Sequence, residues 1–231
     1  MAIKGFQGTS LLDYPGRIAS LVFFAGCNLR CPYCHNPGLV ETPERYPDIA
    51  LDEVVALAAQ RRGFIDGVVI SGGEPTLDPL LVELATELKG LGLQVKLDTN
   101  GLAPAVLERL LDQGLLDAVA VDLKTAPERY PELGAGPTAA LALKQTLALL
   151  QQAPVALEYR TTCMPALVGA ADIAALGPLV QGCPLWVLQQ FVAEHALSPA
   201  ARSSVPYLPE QMQQLAVQAA AYACQVQVRG L

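Results

Sequence analysis

Gly67-Val68-Val69-Ile70-Ser71-Gly72-Gly73-Glu74-Pro75 decides the fold class of this 231-residue chain. Three β-branched residues in succession leave no polar face, so the strand they form is covered on both sides, as the strands of parallel sheets are. Polar and glycine residues follow at its C-terminal end. The pattern recurs on either side, with strand-like runs at Ile18–Phe24, Gln94–Thr99, Ala118–Leu123, Ala156–Thr162 and Leu185–Phe191. Helical patterns lie between them near Leu51–Arg61, Pro79–Lys89, Pro104–Leu111, Ala139–Leu150 and Ala170–Leu179, and a last amphipathic segment covers Pro209–Ala223. Strands that start roughly every 25 to 50 residues with helices between them are the rhythm of βα units. Asp78-Pro79 and Ala103-Pro104 place proline at helical first turns, where its missing N–H costs nothing. Six such units form either an open doubly wound sheet or an incomplete barrel, and periodicity does not choose between them.

The polar residues carry more information. Ser71-Gly72-Gly73-Glu74, Asp98-Thr99-Asn100 and Asp122-Leu123-Lys124 each fall where a strand ends, and three cysteines follow the first strand. In parallel α/β folds the C-terminal strand edge carries the active site, so the expectation is one site built from these clusters.

Composition bounds the remainder. Apolar residues are 52% and charged residues 16%, which argues for a packed core over disorder. No internal repeat or low-complexity linker interrupts the chain, and residues 1–231 read as one domain. A net charge of −7 argues against a nucleic-acid backbone as the main partner. No basic leader precedes an apolar segment. The longest uncharged stretch, Ile173 to Ala193, is broken by Gly177, Pro178, Gly182 and Pro184, so no membrane span is expected. The expected compartment is the cytoplasm, where clustered thiols bind metal or do redox chemistry more often than they form disulfides.

Cys27-Asn-Leu-Arg-Cys31-Pro-Tyr-Cys34 puts three thiols within eight residues. Thiolates at this spacing suit a 4Fe–4S cluster whose fourth iron lacks a protein ligand and so can bind a reactant. Two other centres fit less of the pattern. Zinc would take the three sulfurs and the His35 imidazole. Attached haem would use Cys31-Pro-Tyr-Cys34-His35 but leave Cys27 unexplained. Cys163, Cys183 and Cys224 lie far apart among apolar neighbours and read as small buried hydrophobes outside the site.

Gly72-Gly73-Glu74-Pro75 is neither a Walker loop nor a dinucleotide fingerprint. It is a turn whose backbone admits close approach, with Glu74 available to a cationic group. Asp98 and Asp122 either cap the helices that follow or, with Lys124, bind a zwitterion or small cation. Arg160 is a charge within a strand-like segment and needs a partner if it points inward.

These motifs together resemble the radical S-adenosylmethionine (SAM) superfamily: Cys27-x₃-Cys31-x₂-Cys34 with Tyr33 before the last cysteine, then Gly72-Gly73-Glu74-Pro75. Asp13-Tyr-Pro-Gly, Cys34-His-Asn-Pro, Leu97-Asp-Thr-Asn-Gly and Val121-Asp-Leu-Lys resemble its glycyl-radical-enzyme activases. The fullest match is to the activating proteins of anaerobic ribonucleoside-triphosphate reductase, through Gly5-Phe-Gln-Gly-Thr-Ser-Leu-Leu-Asp-Tyr-Pro-Gly, Arg61-Arg-Gly-Phe-Ile-Asp-Gly and Glu158-Tyr-Arg-Thr-Thr. The resemblance implies a partial (β/α)6 TIM-like barrel. It implies Cys27, Cys31 and Cys34 on three irons of a 4Fe–4S cluster and S-adenosylmethionine on the fourth. Tyr33 would lie near the adenine, and Gly72, Gly73 and Glu74 would meet the methionine amino group. Asp98, with Thr99 beside it, and Asp122 would help hold a monovalent cation, while Lys124 and Arg160 contact the cosubstrate. Related activases carry a histidine after strand six; here the chain has Gln189-Gln190-Phe191, which leaves Gln190 for the ribose.

The implied reaction is one-electron cleavage of S-adenosylmethionine to methionine and a 5′-deoxyadenosyl radical, which takes hydrogen from a glycine Cα of a partner enzyme. A flavodoxin or ferredoxin would supply the electron. A compact small-molecule enzyme like the deazaguanine synthases is the alternative within the superfamily. A zinc-stabilised binding module is the alternative outside it, but it gives the strand-end clusters no reason to converge. Ser198–Tyr207 reads as a polar, proline-containing surface connection, the alternative being a cover for the site or a contact with the partner.

Overall fold

A computed structural model describes residues 2–231, which form two compact units. The first holds residues up to Asn28, Gly38–Thr99 and Ala105–Val119, and the second Leu29–Pro37, Asn100–Pro104 and Ala120–Leu231.

The first unit begins with β1 (Ile3–Ser10), which runs antiparallel to β2 (Ala19–Phe24) in the register Ile3↔Phe24, Gln7↔Leu21 and Ser10↔Ala19. A short α1 (Pro37–Glu41) and α2 (Leu51–Arg61) lead to β3 (Gly67–Gly72), which is parallel to β2. Then α3 (Leu80–Gly90), β4 (Gln94–Thr99) and α4 (Pro104–Asp112) follow, with β4 parallel to β3. The run Val68, Val69 and Ile70 is wholly buried, as its unbroken β-branched pattern requires. Leu81, Leu84, Ala85 and Leu88 of α3 are also fully buried, at the i, i+3, i+4, i+7 spacing of one helix face. Asp117 ties this layer together by accepting from Lys89 Nζ at 2.8 Å and from the Val95 N–H at 2.8 Å.

The chain passes into the second unit along β5 (Ala118–Asp122). There α5 (Ala139–Leu150), β6 (Ala156–Cys163), α6 (Ala170–Leu176), β7 (Trp186–Gln190), a short α7 (Pro199–Arg202), α8 (Pro209–Ala219) and β8 (Val226–Arg229) follow in turn. β6, β7 and β8 are parallel neighbours, registered Tyr159↔Trp186 and Trp186↔Val226. The indole N–H of Trp186 donates to the Thr161 hydroxyl at 3.0 Å, both residues being fully buried.

The strands and helices expected from periodicity are present, with differences at their ends. The helix expected over Ala170–Leu179 stops at Leu176, because Pro178 withdraws an N–H and a 3-10 turn takes over from Gly177 to Val180. The last amphipathic helix stops at Ala219, short of Ala223. β1 and β8 have no counterpart in the sequence reading. In β1, Gly5 and Gly8 break the alternation; a Cβ at Gly5 would meet Phe23 Cδ2 at 3.2 Å, so the glycine permits close strand approach. Among the described residues no helix is long and apolar enough to cross a membrane.

Candidate active site

In the first unit, the loop after β3 is hooked onto the segment that carries Cys27. The Gly73 N–H donates to Phe24 O and the Glu74 N–H to Gly26 O, each at 2.8 Å. Gly72 adopts φ +118°, a conformation L side chains rarely enter. A Cβ at Gly73 would stand 1.9 Å from the Gly26 carbonyl oxygen. The two glycines are therefore the condition for this contact.

The hook carries Glu74 inward, where it is 1% exposed. Its Oε1 accepts from the Thr76 N–H at 3.2 Å, the Thr76 hydroxyl at 2.5 Å and the Thr99 hydroxyl at 2.7 Å. Thr76 and Thr99 thus fix the carboxylate from the turn after β3 and from the end of β4. On β4, Asp98 forms an ion pair with Lys96 two residues before it, on the same strand face. Both are buried.

In the second unit, Cys31 is buried and Cys34 half-buried, and the Cys34 N–H closes a turn onto Cys31 O at 3.0 Å. Between them Tyr33 is 3% exposed, with the Lys124 ammonium 6.0 Å from its ring centroid. Burial pushes the Tyr33 phenol well above its usual range, with the Lys124 charge opposing it, so the ring is neutral.

Asp122 at the end of β5, Lys124 just after it and Arg160 within β6 form a triad. Arg160 Nε donates to Asp122 Oδ1 at 2.8 Å and Lys124 Nζ to Asp122 Oδ2 at 3.0 Å. Burial by itself would raise the Asp122 carboxyl; the Arg160 and Lys124 charges outweigh it and hold the group well below the usual carboxylate range. A depressed carboxyl stabilises the fold above its unfolded value near 4 and loses that contribution as pH falls toward the folded value. Asp122→Asn is therefore expected to lower stability by about 2–3 kcal/mol at pH 7, since it leaves mostly buried cations without their shared counter-charge. In urea unfolding followed from pH 7 to below pH 3, the gap to the parent protein should close on the acid side.

Gln190, at the end of β7, donates from Nε2 to Tyr207 O at 2.6 Å, and its buried Oε1 has no partner among the described residues. The Tyr207 hydroxyl donates to Val168 O at 3.0 Å, so the connection expected over Ser198–Tyr207 is tied down at its far end and carries α7 within it. Burial pushes the Cys163 thiol up to about 12 and the Cys183 thiol to about 11, as suits inert core thiols, whereas Cys224 is exposed and departs from the buried reading. Sequence reasoning passed over Thr76 and Lys96. The Lys-x-Asp spacing inside an apolar strand was the available signal for Lys96.

Known proteins bear on this arrangement. The profile of the Radical SAM superfamily matches residues 21–166. The "Putative glycyl-radical enzyme activating enzyme MJ1227" of Methanocaldococcus jannaschii is 33% identical over 201 residues, covering 84% of this chain and 81% of that protein. The pyruvate formate-lyase-activating enzyme of Staphylococcus aureus is 39% identical over 103 residues, covering 42% of this chain and 41% of that enzyme. Among solved structures, Streptococcus suis SuiB bound to its precursor peptide SuiA superposes with a TM-score of 0.67 at 13% identity, over 91% of this chain and 48% of SuiB. Archaeal TYW1 superposes with a TM-score of 0.56 at 14% identity, over 89% of this chain and 72% of that one. These structures share the mixed α/β fold class that the resemblance implied. With the profile covering more than half of its length, the chain belongs to the radical SAM superfamily.

Proposed function

We propose that this chain is a glycyl-radical-enzyme activase and that its partner is the anaerobic ribonucleoside-triphosphate reductase. Members of the superfamily use a 4Fe–4S cluster with S-adenosylmethionine. The observation that carries the reading is the glycine hook, which ties a buried, threonine-held Glu74 to the segment leading into Cys27. Beside it stand the names of two relatives, both activating enzymes.

The residues fit the cofactors. Three thiols at x₃ and x₂ spacing are the donor set of a cluster with one open iron. When bound, the cluster supplies the single electron that splits a carbon–sulfur bond of the sulfonium. The chain's residues hold the cosubstrate for that event. Cys27, Cys31 and Cys34 ligate iron. Gly72 and Gly73 bring backbone close to the methionine moiety, and Glu74 meets its ammonium. Lys124 and Arg160 contact the cosubstrate, and the neutral Tyr33 ring lies against the adenine. The buried, unpartnered Oε1 of Gln190 accepts from a ribose hydroxyl. Alignment of this kind lowers the barrier by fixing the reacting bond before the electron arrives. In this reading the chain works as a single radical SAM domain in the cytoplasm, reduced by a flavodoxin or ferredoxin, and its substrate is a glycine loop of a protein.

The test is anaerobic reconstitution with iron and sulfide, then electron paramagnetic resonance of the reduced protein with and without S-adenosylmethionine. Addition of the reductase should then give a glycyl-radical doublet on the reductase. A cluster signal blind to S-adenosylmethionine overturns the activase reading. Cosubstrate cleavage without a doublet on the reductase, but with one on another glycyl-radical enzyme, removes only the named partner.

A further inference from the structure

The resemblance assigns Asp98 and Asp122 to a bound monovalent cation, and their surroundings do not fit one. We propose that Lys96 supplies that positive charge from within the fold, so that S-adenosylmethionine binding by this protein needs neither potassium nor sodium. The inference rests on the functional reading above.

Lys96 lies in β4 between Val95 and Leu97, both fully buried, and its own side chain is 3% exposed. A lysine is this deeply buried in a strand only when its ammonium has a partner, because desolvation otherwise disfavours the charge. The partner is Asp98. An i, i+2 pair in a strand projects from one face, so the backbone itself sets the ammonium beside the carboxylate. Pairing of β4 with β3, where Val69 stands opposite Lys96, fixes the backbone of that position. The result is a tethered monovalent cation. A free potassium or sodium ion at Asp98 would have to sit next to the Lys96 ammonium, and like charges in a buried setting repel.

Asp122 shows the same condition within its own unit. One carboxylate oxygen is taken by Arg160 Nε at 2.8 Å and the other by Lys124 Nζ at 3.0 Å. Each carboxylate that an inorganic cation would use is thus already matched by a side-chain cation. Lys96 is a positioning residue: it acts by holding Asp98 oriented and neutralised as a pair.

The experiment is calorimetric titration of S-adenosylmethionine into the reconstituted protein in potassium chloride, sodium chloride or N-methyl-D-glucamine chloride at equal ionic strength. For the parent protein the three dissociation constants should agree within about twofold. Lys96→Ala removes the tethered charge and leaves space beside Asp98. Its affinity should fall about tenfold in the organic cation and recover with potassium or sodium, the signature of linkage between two ligands. Lys96→Arg, which keeps the charge, should remain independent of the salt.

A parent protein that loses about tenfold or more in affinity when potassium and sodium are withdrawn overturns the inference, as does Lys96→Ala weakened equally in all three salts. If Lys96→Ala does not fold, the parent protein and Lys96→Arg decide the question alone. Absence of binding in every salt would sink the functional reading and this inference with it. Binding that requires potassium removes only the inference.

Discussion

Cys31→Ala is expected to reduce S-adenosylmethionine cleavage to background and to leave the reconstituted protein with little cluster iron. The three cysteines span eight residues, so no other thiol can take the vacated position by a small backbone shift. Cys163 is buried with a thiol pushed up to about 12, and Cys183 with one at about 11, so neither supplies thiolate at neutral pH. Loss of an outer-shell contact at a metal centre typically costs about 10–100-fold, and loss of a ligand itself should exceed this, at about 1,000-fold or more in cleavage rate. The checks are iron and sulfide content, the reduced-cluster signal, and chromatographic assay of methionine and 5′-deoxyadenosine. Because Cys31 is a small buried side chain in a turn, the apo variant should unfold within about 1 kcal/mol of the parent. Intact apo stability with absent cleavage separates a ligand from a packing residue. Iron content and cleavage that both survive would mean the thiols do not hold the catalytic cluster.

Gly73→Ala should be the most damaging of the single-methyl additions at the strand ends. The added carbon would sit 1.9 Å from the Gly26 carbonyl oxygen and 2.7 Å from its carbonyl carbon. Both atoms are backbone, and that oxygen already accepts the Glu74 N–H at 2.8 Å. Neither side can yield without breaking the hook, so the overpacking cost should reach about 3 kcal/mol. For a chain of this size that is a fall of about 10 °C in melting temperature. Glu74 would also lose its fixed orientation, and cosubstrate affinity should fall with it. Gly63→Ala is the control, since a Cβ there meets nothing within 4 Å; its stability should change by less than about 1 kcal/mol. Thermal unfolding of the two apo variants side by side reads the difference. Equal melting temperatures would mean that the hook does not constrain the loop.

The legible parts of this protein share one property: their meaning is local. The cysteine spacing, the β-branched run at Val68–Ile70 and the Gly-Gly turn each declare themselves within ten residues, because ligand reach, strand pleat and backbone freedom are short-range quantities. Polar clusters at strand ends could be placed because the direction of a strand follows from the order of its residues.

The pairing of charges was not legible. Arg160 needed a partner, but nothing near it in sequence identifies Asp122, 38 residues away. Lys96 and Asp98 are neighbours on one strand face, yet only their burial shows that the ammonium is committed to that carboxylate. The hydroxyls of Thr76 and Thr99 meet on one oxygen of Glu74 only because β3 and β4 lie side by side. Edge strands were hidden for a related reason. β1 is held by its register against β2, and its own glycines and polar residues carry no apolar alternation to announce it.

By itself, then, the sequence determined the three-cysteine motif, the parallel α/β class and the residues available at the strand ends, all of which rest on spacing and periodicity along the chain. Tertiary structure alone decided which acid answers which base, that Gly73 must carry no side chain, and that Gln190 keeps a buried acceptor without a partner. Those outcomes depend on distances between segments remote in sequence, and such distances exist only once the strands have paired.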